Sequence, residues 1–221
     1  RRSASGVGAE VVALGDGDPG GFMPPKGIWA LPLEELETIP GYGKDISANI
    51  AAAKKLLAEA GYPNGFSTTL LTRKGTDFEP LSVFLKDQLT KIGIEAKLDV
   101  QETASAYASL DKRAFDMAPW VHGIALDDPD AIFSEFYTCG ASRNYSEICS
   151  EEVDKLFARQ SQTVKFEERK KLVAQMEKAA LSTYSKILLY WARRFVGFSP
   201  RVRNYMINPS LAESKIYLLL C

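Results

Sequence analysis

The residue types best suited to chemistry gather in one stretch, residues 122–156, which reads HGIALDDPDAIFSEFYTCGASRNYSEICSEEVDKL. It holds the chain's only histidine, His122, the acids Asp127, Asp128 and Asp130, and two of the three cysteines, Cys139 and Cys149. With one histidine, any Ser–His–acid or Cys–His device must be built on His122. A G-x-S-x-G elbow is absent, because neither Gly65-Phe-Ser67 nor Gly197-Phe-Ser199 is followed by the second glycine. No phosphate-cradling G-x-x-x-x-G-K-[ST] loop occurs, and a conventional zinc site lacks the additional Cys or His ligands it needs. A carboxylate pair drawn from Asp127, Asp128 and Asp130 is the hydrolytic alternative.

Each of these residues also has a plainer reading. Asp128-Pro129 precedes the apolar Ala131, Ile132, Phe133 and Phe136, the pattern of a helix N-cap with proline at the first helical position. Capping is therefore favoured for Asp128 over ligand contact or catalysis. Asp127 has no such duty and is the better candidate for touching a ligand, with a solvated loop position as its alternative. Trp120 fits either the core or an aromatic pocket wall; for His122, solvent exposure or a structural hydrogen bond is favoured over ligand contact. The cysteines stand ten positions apart in a polar, glycine-bearing loop. A crosslink there would contribute about 3 kcal/mol by restricting the unfolded chain. Two unrelated buried thiols are the alternative; the disulfide is favoured, and with it an oxidising compartment. Cys221 has no obvious mate. Asn144-Tyr-Ser146 fits a glycosylation sequon, and Arg193, Arg194, Arg201 and Arg203 read as a solvated basic face.

The elements that must position these residues follow from periodicity. Residues 9–14 (AEVVAL) suggest a short strand, then Gly15, Gly17 and Gly20 match G-x-G-x-x-G. Pro24-Pro25 forbids the helix that a dinucleotide would need, and Asp16 and Asp18 would repel phosphate, so this is a turn. An extended segment follows to Tyr42, with Trp29 as its anchor. Helices are expected over 47–60, 78–92 and 104–112, and strands over 67–72, 94–100 and from Phe115. Gly61 and Gly93 stop the first two helices. Beyond the cysteine loop, Ser150 caps a helix over 151–162; a helix over 166–183 and a strand from Lys186 come next. Strand–helix alternation with short connections predicts an α/β fold with a mainly parallel sheet flanked by helices. Ligands in such sheets sit beyond the carboxyl ends of strands, which places Trp120, His122 and Asp127 at the rim.

Bulk composition adds exclusions. A formal net charge of −1, with 25% charged and 46% hydrophobic residues, offers no reason to expect nucleic acid or an anionic membrane as partner. The apolar runs from Ile187 and Ile216 are far short of the ~20 residues of a membrane span. The chain opens on Arg1, so missing targeting signals are uninformative.

Several segments together resemble the family 5 extracellular solute-binding proteins, the dipeptide- and oligopeptide-binding components of ABC transporters. They are AKKLLAEAGYPNGF (53–66), QLTKIGIEA (88–96), FDM (115–117), DDPD (127–130), the RNYS…C…EVDKL run (143–156) and EERKKL (167–172). The resemblance spans about residues 15–202 and rests on their order rather than on any one of them. It implies a periplasmic-binding-protein-like lobe, the C-terminal part of a two-lobed receptor. Residues 1–45 would be a proline-rich lead-in, 46–185 the lobe, and 186–221 a return toward the first lobe. It implies a periplasmic or extracellular protein, lipid-anchored in some relatives, that closes on a peptide or peptide-like solute and docks on membrane permease subunits, without enzyme activity, cofactor or metal. It further implies a Cys139–Cys149 disulfide, in agreement with the spacing, and a bare surface that invites self-association. Members that hold a peptide amino terminus carry an aspartate where this chain has Ala125, so that pairing is not implied here. The ending SKIYLLLC departs from the family pattern.

Overall fold

The computed structural model describes residues 17–75, 78–123, 126–193, 197, 199–204 and 214–220. The strand expected at 9–14, Gly15, Ala125, Arg194 and Cys221 lie outside them.

The elements in order are β1 (Gly17–Asp18), α1 (Leu33–Leu36), α2 (Ile46–Glu59), β2 (Phe66–Arg73), α3 (Glu79–Thr90), β3 (Ile94–Gln101) and α4 (Thr103–Asp111). They continue with β4 (Met117–Gly123), α5 (Pro129–Phe136), α6 (Glu151–Ser161), α7 (Phe166–Leu181), β5 (Lys186–Ala192) and β6 (Ser214–Leu220). Local chemistry sets the boundaries. Asp45 caps α2, accepting from the Ala48 amide at 3.1 Å, and Gly61 follows its end at φ 91°. Asp128 and Ser150 cap α5 and α6 as their sequence context predicts.

The strands form one six-stranded sheet in the order β1-β5-β6-β4-β2-β3. β3, β2 and β4 are parallel, with Phe66 opposite Ile94, Arg73 opposite Gln101 and Leu70 opposite Met117. The three remaining pairings are antiparallel. The α/β class holds, but the sheet is mixed rather than mainly parallel. The difference comes from the last strand: β6 returns between β5 and β4 and runs against both. Within 186–221, Lys186–Ala192 and Ser214–Leu220 are two strands of this sheet.

Both faces are covered. One core cluster joins Phe22, Met23, Trp29 and Leu36 of the lead-in to Phe133, Val173, Met176, Trp191 and Leu219. The other joins Leu70, Leu81, Leu85, Ile94, Met117, Tyr190 and Leu218. Adjacent Leu218 and Leu219 fall in different clusters, as period-two alternation across a sheet requires. The lead-in is fixed by buried polar contacts. The Met23 amide donates to Glu177 of α7 at 2.9 Å, Trp191 Nε1 donates to the Gly21 carbonyl at 2.9 Å, and the Tyr42 hydroxyl to the Gly20 carbonyl at 3.2 Å.

Candidate functional site

Because β2, β3 and β4 are parallel, their carboxyl ends share one edge of the sheet, and α3, α4 and α5 all begin just beyond it. This is the rim that the topology singles out. The acid-rich turn lies on it and divides its three carboxylates between two duties.

Asp128 caps α5: its Oδ1 accepts from the Asp130 amide at 2.8 Å, with Pro129 next in the helix. The same carboxylate receives both terminal nitrogens of Arg169 from α7, at 3.0 and 3.2 Å. Asp130 accepts from the Ser161 hydroxyl at 2.6 Å and from the Gln160 side-chain amide, and lies 3.6 Å from Arg169. The Arg169 guanidinium sits 4.8 Å over the Trp29 ring, and Trp29 Nε1 donates to the Asp127 carbonyl at 3.1 Å. Two carboxylates are therefore held by a cation in a closed structural network. The hydrolytic alternative needs them unengaged, so it loses its acid pair.

Asp127 is placed differently. Its Oδ1 is buried and has no hydrogen-bond partner among the described residues. Its Oδ2 lies against the lead-in, where a Cβ added at Gly27 would come within 3.2 Å. Burial, and then the neighbouring Asp128 charge, push its pKa above the ordinary carboxylate value.

Trp120 and His122 both face inward, each only 2% exposed. Trp120 meets Tyr107 edge-on at 4.9 Å and Phe78 at 5.7 Å, while His122 stacks on Phe136 at 3.5 Å. Both rings pack against the core. The reason is that β4 is an interior strand covered on both faces, which buries successive residues rather than alternate ones.

Trp120 nevertheless leads to a rim residue that sequence reasoning missed. The Arg73 guanidinium, at the carboxyl end of β2, lies 4.2 Å from the Phe78 ring centroid and 5.6 Å from that of Trp120. No acid pairs with it among the described residues. A half-buried guanidinium seated on aromatic faces, with its donors open, is suited to an anion. The available signal was an arginine closing the apolar strand FSTTLLTR.

The disulfide joins Cys139 to Cys149 with Cα atoms 4.6 Å apart, tying the exit of α5 to the start of α6. Asp154 accepts from the Cys139 amide at 3.0 Å. The two sulfurs and the Asp154 carboxylate cluster closely, but sulfurs bonded to each other offer no thiolate to a metal. Asn144 is buried, donating to the carbonyls of Thr138 and Ile148, so the sequon is closed to glycosylation in the folded chain. Beside it, Lys186 Nζ contacts the Phe136 carbonyl and Asn144 Oδ1. Of the basic face, Arg193 chelates Asp18 at 2.7 and 2.9 Å, and Arg201 and Arg203 are exposed.

Comparison with known proteins agrees with this architecture. The sequence profile of Bacterial extracellular solute-binding proteins, family 5 Middle, matches residues 9–144. The chain belongs to this family. Among family 5 proteins it is 26% identical over 188 residues to the oligopeptide-binding protein AppA of Bacillus subtilis, covering 76% of this chain and 35% of AppA. The dipeptide-binding protein of Pseudoalteromonas sp. SM9913, solved with Met-Leu, superposes with a TM-score of 0.70 at 17% identity, over 98% of this chain and 38% of that one. DppA of Helicobacter pylori, solved with the peptide STSA, gives 0.66 at 22% identity over 96% and 36%. The chain thus spans about a third of the length of these family 5 relatives.

Proposed function

We propose that this chain is the C-terminal lobe of an extracytoplasmic solute-binding component of an ABC importer, binding a peptide or peptide-like solute between two lobes and docking on membrane permease subunits. Family membership over residues 9–144 is the observation that carries the reading. At the rim, Arg73 faces a carboxylate or other anionic group of the solute, and Asp127 a donor or cationic group. Trp120 acts through Arg73, holding its guanidinium, rather than by touching solute. His122 backs α5 through Phe136. Peptide binders among the relatives of similar fold, solved with STSA and Met-Leu, favour a peptide as the solute. The site is periplasmic or otherwise outside the cytoplasm, in keeping with the disulfide.

Closure shifts an open–closed equilibrium only as far as the solute's contacts are better in the closed state. In the full-length receptor, Asp127→Ala and Arg73→Ala should each weaken solute binding roughly tenfold, the worth of a charge-assisted hydrogen bond. Calorimetric titration checks this; unchanged affinity in either variant removes that residue from the site.

A further inference from the structure

A cavity of about 450 Å³ lies in the lead-in, lined by Asp18, Pro19, Pro25, Lys26, Leu31 and Leu33 among others. We propose that it is a second ligand site, distinct from the rim, taking a small apolar monocarboxylate with its hydrocarbon inside and its carboxylate at Lys26.

The volume lies within the roughly 300–1,000 Å³ of small-molecule pockets, and the walls have their usual character: apolar, with a few polar groups at one place. Pro19, Pro25, Leu31, Pro32, Leu33 and Leu36 supply the apolar surface. It is a stable feature of the lobe, since Leu31 and Leu36 are buried core and the backbone at Gly20 and Gly21 is held by Tyr42 and Trp191.

Charge decides the ligand's sign. Asp18, the one acid among the described residues of the wall, already receives two donors from Arg193, which hold its carboxyl below the usual range. Lys26 reaches that carboxylate only at 3.5 Å, and its side chain is 79% exposed. It spends one of its three N–H groups on Asp18, and the others can take an incoming anion at the cavity mouth. Lys26 is the third residue of the turn closed by the Gly27 amide on the Pro24 carbonyl, and all four residues of that turn but Pro24 line the cavity.

Octanoate is the probe, titrated by calorimetry into the full-length protein, with octanol as the uncharged control. Saturable octanoate binding is expected, weakened at least tenfold by Lys26→Glu, with octanol binding unaffected by that change. Ala30→Trp, which fills the cavity, should abolish both. Lys26→Glu should leave solute affinity at the rim unchanged, and octanoate should not displace solute. Absence of saturable binding, or an unchanged octanoate affinity in Lys26→Glu, overturns the site. Competition between octanoate and solute would make the cavity part of the inter-lobe cleft and overturn its independence. Lys26→Glu lies on the surface, so it decides the matter even if Ala30→Trp fails to fold.

Discussion

Asp127 differs from its two neighbours in the acid-rich turn, whose carboxylates are engaged by Arg169. Asp128 and Asp130 share Arg169, whereas Asp127 has a buried oxygen with no donor and a raised pKa. The raised value has a consequence for stability. In the window between the unfolded value near 3.8 and the raised folded value, the folded chain binds more protons than the unfolded one. Stability contributed at this residue therefore falls as pH rises through that window, and the cost persists at neutrality. Asp127→Asn should accordingly raise the melting temperature at pH 7, with the gain vanishing as pH falls below 3.8. Thermal unfolding across pH 3–8 reads the difference; a variant less stable than wild type at pH 7 would mean the carboxylate is satisfied in the folded chain.

Among the elements, the hinge of the local structure is the loop between α5 and α6. The disulfide closes it, Asn144 bonds both of its limbs, and Lys186 from β5 holds its base through the Phe136 carbonyl and Asn144. Burial pushes the Lys186 pKa down to about 7 from 10.5. Between those values the unfolded chain binds the extra proton, so stability rises with pH from about 7 to 10.5, and the burial cost is fully present below 7. Replacing Lys186 by Met should flatten that rise, as chemical denaturation at pH 7 and pH 10 would register. An equally steep rise in the variant would assign it to another group. Helix and strand periods, caps and stops were legible in the sequence here because they are local: Ser150, Gly61 and Gly93 act on their own neighbours. The polar contacts of Lys186 and Arg169 were not, since they join residues far apart in the chain. Asp-Pro before an apolar run marked Asp128 as a cap but could not name its partner.

For the molecule as a whole, the strand order matters most. β6 is interior, between β4 and β5, and runs against both. Adjacent Leu218 and Leu219 are both buried, one in each core cluster, so this run carries no polar alternation by which sequence could place it in the sheet. Trp120 and His122 lie near the carboxyl end of β4 with side chains 2% exposed, while Arg73 at the end of the adjacent β2 is half-buried. Leu219 is 0% exposed, and Leu219→Asp should cost about 3–5 kcal/mol or prevent folding, because it both empties the core and buries a charge. A loss below about 1 kcal/mol in denaturant titration would place β6 outside the sheet.

The central claim is that this lobe serves a receptor that holds its solute without transforming it. Mass spectrometry of small molecules extracted from the purified full-length protein tests that most directly. An intact peptide or peptide-like compound, recovered near one per receptor and unchanged after prolonged incubation with the protein, is the predicted result. Recovery of cleavage products that accumulate with time would contradict it.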